Sequence, residues 1–567
     1  MEKIWLAHYP QGVPHEIDPA ACPTLRSLLE ESVARYPERT AFEALGTSLT
    51  YARLDVLSQR FASYLQNHAG LAKGDRVALV LPNLLPYPVA LFGLLRGGFV
   101  AVNCNPMYTA PELAFQLKDS GARAVVALEN FAATLERALP GTAVRTVVLA
   151  RLGDLLGFRA PLVTAVARHL KGLVPPHGLR AAVPFARTLR LGGTTAMKDL
   201  LVEPDDVAFL QYTGGTTGVP KAAVLRHRHI AANVLQISAN LGEDLLTQPQ
   251  IALTALPLYH IFALTVNAFL ITRLGGTNVL VPDPRNLPAL AELMHRRRFT
   301  FVSGVNTLFN GLLHTPEFRT ANFSTLRFTV GGGAAVQGAV ARRWKEVTGC
   351  AIIEGYGLTE ASPVVSTNPI DTTEHDGSVG FPVPSTEISV RGEDGRELAI
   401  GEVGELCVRG PQVMDGYWQK PEETRKVLTD DGFLRTGDLA RVDERGLIFI
   451  VDRKKDLILV SGFNVYPNEL EAELAELEGV KEAAVVGVPD EKSGEAVMLF
   501  IVPADAQLTK EKVMEFCRKR FTAYKRPHDL ARIEFRESLP KSNIGKILRR
   551  SLREEYVARA QTPLAPS

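Results

Sequence analysis

Short apolar runs alternate with amphipathic stretches through the first two thirds of the chain. RVALVL (Arg76 to Leu81), AVVAL (Ala124 to Leu128), VVLA (Val147 to Ala150) and FTFVSG (Phe299 to Gly304) have the length of strands buried on both faces. Helical patterns lie between them, so the expectation is α/β layers with largely parallel sheets. From Glu387 to Ile450 the texture changes to short strands and turns, as in EDGRELAIGEVGELCVRG, which predicts a β-rich subdomain. DRKKD (Asp452 to Asp456) then separates two apolar runs in the manner of an interdomain linker. Beyond it AAVVGVP, AVMLFIVP and TKEKVMEFCRKRF predict a compact α+β unit, and residues after Glu555 are expected to be disordered. The expected division is 1–452, a linker at 453–456, and a mobile unit at 457–567.

Ala252 to Thr272 runs without Asp, Glu, Lys or Arg and approaches membrane-span length. Pro257, His260 and Asn267 interrupt it, so it reads as a buried strand over Ile251 to Leu256, a turn and a buried helix. At 567 residues the chain exceeds a single core. Its net charge of +1 excludes nucleic-acid binding driven by overall charge. Five cysteines without C-x-x-C pairing suit neither a zinc site nor a disulfide framework, and with no signal-like N-terminus they point to a reducing cytoplasm. Residues 141–190 hold eight Lys or Arg against one Asp, amid Leu, Val and Phe. Such a segment suits an anionic membrane surface, or is an insertion with a solvated basic face.

Candidate chemistry sits where strands end. YTGGTTGVPK (Tyr212 to Lys221) follows the apolar VAFLQ; its glycines, threonines and lysine suit an anion nest, although a flexible polar loop has the same composition. Pro220 and Ala222 flank Lys221, so it is not the common nucleotide P-loop. GGGAA (Gly331 to Ala335) follows an expected strand at Leu326 to Val330, and EGYGLTE (Glu354 to Glu360) one at Cys350 to Ile353. TGDLA (Thr436 to Ala440) places a carboxylate in an expected tight turn, and LPKSNIGKILRR (Leu539 to Arg550) places Lys546 beside a glycine. Each signal alone is as well explained by turn chemistry.

In this order the motifs resemble those of the acyl-adenylate-forming enzymes, and across nearly the whole chain the sequence is most similar to the bacterial long-chain fatty acyl-CoA synthetases. The opening IWLAHYP and the run LPNLLPYPVALFGLLRGG share in the resemblance. It implies a large N-terminal adenylate-forming domain and a small mobile C-terminal one. It implies that Thr213, Gly214, Gly215, Thr216, Thr217, Gly218 and Lys221 hold ATP phosphates, and that Gly331, Gly332, Gly333 and Ala334 line the adenine pocket. Tyr356, followed by Gly357, would pack on adenine, Thr359 would reach a phosphate, and Glu360 would ligate Mg²⁺. Asp438 and Arg453 would hold the ribose, Lys455 would be the hinge, Ser461 and Gly462 would border the pantetheine channel, and Lys546 would be the catalytic lysine.

His260, in LPLYHIFAL, would face the carboxylate end of the acid, with a core role as the alternative. Leu264 stands where some relatives carry a tryptophan gate, and Ala222 where many carry glycine. The implied reaction joins a long-chain fatty acid to CoA at the expense of ATP, giving AMP and pyrophosphate, with Mg²⁺ as cofactor. The implied setting is the cytoplasm, in peripheral contact with the inner face of the membrane; no nucleic-acid partner is expected, and a homodimer is left open. The rivals are an aryl or medium-chain acid ligase of the same fold and a non-catalytic lipid-binding homologue. Glu360, Asp438, Arg453 and Lys546 together speak against the latter.

Overall fold

The computed structural model describes residues 2–213, 219–241 and 248–561. Among them the strands form four sheets. The first runs in the order 183–184, 146–150, 124–128, 76–80, 100–103, 207–213, 221–226. Its strands are parallel except at the last pair, where Val207–Thr213 turns back onto Lys221–Arg226. The second has nine strands, parallel at its centre and antiparallel at both ends. The parallel runs are buried on both faces, as Ala124–Leu128 is at every position, because helices cover both sides.

Aromatic rings knit one large core between these sheets: Phe269 meets Phe92 at 5.9 Å and Phe209 at 6.1 Å, both edge to face. Trp5, fully buried, anchors the N-terminal IWLAH against the β-rich subdomain. That subdomain is an antiparallel sheet of Glu387–Arg391, Gly404–Arg409, Leu434–Val442 and Ile448–Arg453. The C-terminal unit has its own sheet and core, built on the long hairpin of Val480–Asp490 and Gly494–Pro503.

The segment 252–272 is a strand, a turn and a buried helical stretch, with the strand closing at Thr254 rather than Leu256. No helix among the described residues is long and apolar enough to cross a membrane. Three expectations are corrected. The strand expected at Cys350 to Ile353 spans Ile352–Gly357, because Gly355 to Gly357 pair with the antiparallel strand Val364–Thr367. TGDLA lies inside the strand Leu434–Val442, not in a tight turn; Gly437, at φ +73°, supplies a local kink. Residues after Glu555 are not disordered as far as Gln561: a helix spans Arg549–Gln561, with Leu552 fully buried and Tyr556 packed beside it.

A cavity between the two units

One cavity of about 1420 Å³ opens where the two large sheets, the β-rich subdomain and the C-terminal unit meet. Its walls include Thr213, Lys221, His260, Gly331, Gly332, Gly333, Tyr356, Gly357, Thr359, Glu360, Asp438, Arg453, Lys455 and Lys546. Residues expected from separate motifs therefore converge. Gly214, Gly215, Thr216, Thr217 and Gly218 lie outside the described residues. Ala334, Ser461 and Gly462 do not line the cavity, and the last two are exposed on the C-terminal unit.

Cross-strand pairing explains the acid and base at one end. Asp438 and Arg453 are register partners on adjacent antiparallel strands, and the Arg453 guanidinium lies 3.4 Å from the Asp438 carboxylate. The Tyr356 hydroxyl donates to the other Asp438 oxygen at 2.6 Å. Lys454–Asp456 make a turn after the strand: the Lys454 N–H donates to the Gly437 carbonyl and the Asp456 N–H to that of Arg453. Burial and the neighbouring Arg453 pull the Lys455 ammonium down to about 8.

Lys546 comes from a small hairpin of the C-terminal unit. The Ser542 N–H donates to the Lys546 carbonyl at 2.7 Å, and Gly545, at φ +87°, makes the turn. The Thr307 hydroxyl of the large unit donates to the Gly545 carbonyl at 2.9 Å, docking the hairpin on the cavity rim. Arg549 secures it further by bonding to Glu471 and lying 3.4 Å from buried Asp452. Burial and the positive charge of Arg453 lower the Lys546 ammonium to about 8.

His260 caps the buried helical stretch by accepting the Phe262 N–H on Nδ1 at 3.3 Å. Burial and the nearby Lys546 charge push the ring down to about 4, so it is neutral at pH 7. With Nδ1 accepting, the proton resides on Nε2. Three side chains to which the sequence assigned no role hold this turn. Asn83 donates to the Thr254 and Leu256 carbonyls and accepts the Leu258 N–H; Tyr87 and Gln211 donate to the carbonyls of Leu258 and Tyr259.

At the other end, Lys221 pairs with Glu423 and sits 5.3 Å from the Tyr417 ring centre, whose hydroxyl donates to Glu360 at 2.7 Å. Tyr417 and Glu423 stand in none of the motifs read from the sequence. Burial raises the Glu360 carboxyl above its ordinary value, a cost that a bound cation would reverse. No cluster of three or more metal-ligating side chains exists among the described residues. A single buried carboxylate fits Mg²⁺ as one protein ligand, since that ion keeps waters and takes further ligands from substrate phosphates.

An apolar limb leaves the cavity past Ile237, Leu241, Phe262, Val266, Leu270 and Phe301. Leu264 is buried in the core and does not line it, so the position expected for a gate faces elsewhere. Ala222 is fully buried in a strand pair with Tyr212, where its methyl is accommodated.

Comparison with known proteins places this geometry in a family. The AMP-binding enzyme profile matches residues 29–418, and that of the AMP-binding enzyme C-terminal domain matches residues 469–546. The chain is 51% identical over 556 residues to a long-chain-fatty-acid–CoA ligase of Escherichia coli O157:H7, covering 98% of each. It is 48% identical to the ligase of that name from Haemophilus influenzae, covering 99% of each. Among solved structures, an anthranilate CoA ligase in complex with anthranoyl-AMP superposes with a TM-score of 0.84 at 24% identity, covering 96% of this chain and 100% of that one, which shows the shared fold.

Proposed function

The chain belongs to the AMP-binding enzyme family, and from that premise we infer that it activates long-chain fatty acids to acyl-CoA through an acyl-adenylate, consuming ATP and releasing AMP and pyrophosphate. The observation that carries the reading is one cavity joining a charged limb to an apolar one. The acid's chain lies along Ile237, Val266, Leu270 and Phe301, with its carboxylate beside His260 and Lys546. An oxygen of that carboxylate attacks the α-phosphorus of ATP, the bond to the β-phosphate oxygen breaks, and pyrophosphate leaves.

Lys546 neutralises charge shared by the carboxylate and the α-phosphate, while Lys221 exchanges Glu423 for the leaving phosphates. Gly331 to Gly333 and Tyr356 hold adenine, Asp438 and Arg453 the ribose, and Thr359 a phosphate, while Ala334, outside the cavity wall, has no contact role. Neutral His260 donates from Nε2 to the carboxylate end without adding charge. Glu360 would hold Mg²⁺, whose chemistry is charge neutralisation at the phosphates.

The two working units are 1–452 and 457–567, joined at 453–456. Support for a second arrangement lies in what faces the cavity here: Lys546 is inside it, while Ser461 and Gly462 of the same unit are outside. Rotation about Lys455 brings Ser461 and Gly462 to the cavity, where the CoA thiolate attacks the acyl carbonyl and AMP departs.

Pyrophosphate release over saturated acids from acetate to about twenty carbons tests the assignment. Each CH₂ buried in the apolar limb contributes about 0.8 kcal/mol, so kcat/KM should climb steeply with length. A flat profile, or one favouring short or aryl acids, would contradict it.

Peripheral membrane contact is part of the same reading, carried by Phe158, Leu162 and Leu170, which are 95%, 68% and 83% exposed on the basic segment. Arg168 is tied to Glu129, so the charges available to a bilayer are better sought at exposed Lys171 and Arg180. Changing Lys171 and Arg180 to Gln should weaken sedimentation with anionic vesicles by about 1 kcal/mol per charge. Adding Phe158→Ser and Leu170→Ser should abolish it. Unchanged sedimentation of the fourfold variant at low salt would remove the segment from that role.

A further inference from the structure

Directly behind the glycine-rich loop lies a charged pair to which the reaction as described gives no part. Glu354 sits on the strand Ile352–Gly357 with its side chain 6% exposed, and neither it nor His375 lines the cavity. One Glu354 oxygen accepts the Val336 N–H at 3.0 Å, and the other lies 3.1 Å from His375 Nε2. The Glu354 backbone is fixed on both sides by Asn368, whose Oδ1 accepts its N–H at 2.8 Å and whose N–H donates to its carbonyl at 2.9 Å. Asn306 Oδ1 accepts the next loop N–H, that of Gln337, at 3.0 Å. A carboxylate this deeply buried is costly unless paired and hydrogen-bonded, so it is kept at the expense of stability that an apolar side chain would supply.

We propose that Glu354 and His375 are a positioning pair that fixes the loop from Gly332 to Val336 for ATP, making nucleotide affinity depend on the protonation of His375. The carboxylate pins the end of the loop through Val336, and the imidazolium keeps that carboxylate charged. The other charged groups near His375 are Asp376, its neighbour in sequence, and Arg342. A Cβ placed on Gly338 would lie 3.3 Å from Arg342 Nη1 and 3.9 Å from His375 Nδ1. Arg342 is itself held by Glu476 of the C-terminal unit at 2.7 Å. The hydrogen bond that His375 donates to Glu354 raises its pKa above the ordinary value. The pair is therefore charged on the acid side of that raised value and lost as pH rises through it, above the usual histidine figure of about 6.5. This deepens the proposed function and rests on its placing of adenine at Gly331 to Gly333.

Steady-state kinetics with each of the three substrates varied in turn test it. Glu354→Ala should raise KM for ATP about tenfold or more, as loss of a hydrogen bond to a charged group does, with KM for acid and CoA nearly unchanged. Glu354→Gln, which keeps an acceptor for the Val336 N–H but not the charge, should recover only part of that loss. In the wild type KM for ATP should rise on the alkaline side, and His375→Gln should remove this component, leaving the titrations of Lys546 and Lys455, common to both enzymes. The wild-type and His375→Gln profiles decide the matter even if Glu354→Ala does not fold. Superimposable profiles, or a parallel rise of all three KM values in Glu354→Gln, would overturn the pair's role. A rise confined to the fatty acid would instead overturn the placing of adenine.

Discussion

Lys546→Ala should lose about 10²- to 10³-fold in acyl-adenylate formation, while the second step, started from supplied acyl-adenylate and CoA, should continue. The lysine reaches the cavity on a hairpin docked by Thr307, where burial leaves its ammonium at about 8. A positive charge so placed neutralises developing charge in a site that excludes water, which is why one group can count for so much. It is protonated below about pH 8 and loses its charge above, so kcat/KM for adenylation should decline on the alkaline side. Measured as kcat/KM for the fatty acid at saturating ATP, Lys546→Arg, charged throughout, should show a smaller decline than the wild type, whatever its absolute rate.

Gly462→Leu should do the reverse: thioester formation should fall by about 10²-fold or more while adenylation remains near normal, as misplacing a reacting group by about 1 Å can cost this much. Nothing lies within 4 Å of a Cβ added at Gly462 in the present arrangement, so the side chain obstructs nothing here. Its φ of +84° adds local backbone strain but leaves the docked hairpin of Lys546 untouched. On the proposed rotation of the C-terminal unit, the new side chain would meet the path of the thiol.

What could be read from the chain follows from which forces act locally. The strands at 76–80, 124–128 and 146–150 are legible because burial on both faces demands unbroken apolar runs. EGYG and TGD were misread at their boundaries for the opposite reason. Both are strand segments held by antiparallel partners more than five residues away, and their glycines look like turns until those partners are known. The terminal helix is so polar that composition suggested disorder, yet Leu552 and Tyr556, four residues apart, carried its one apolar face.

The candidate site divides in the same way. Glycines, Glu360 and Lys546 sit in motifs because turns and short loops must set their geometry, Asp438 sits in one on a kinked strand, and most of them meet in the cavity. Tyr417, Glu423, Asn83 and Gln211 act across long stretches of chain, as Tyr417 does on Glu360 from 57 positions away, and single polar residues at such separations leave no pattern. The Glu354–His375 pair belongs with them, although Glu354 stands at the head of EGYGLTE.

The central claim is that one cavity serves two reactions by exchanging which face of the C-terminal unit it sees. Assaying adenylation, as acid-dependent pyrophosphate release, and thioester formation from supplied acyl-adenylate, separately in Lys546→Ala and Gly462→Leu, tests it most directly. The account predicts crossed losses, with the first step failing only in Lys546→Ala and the second only in Gly462→Leu. Equal loss of both steps in either variant would contradict it.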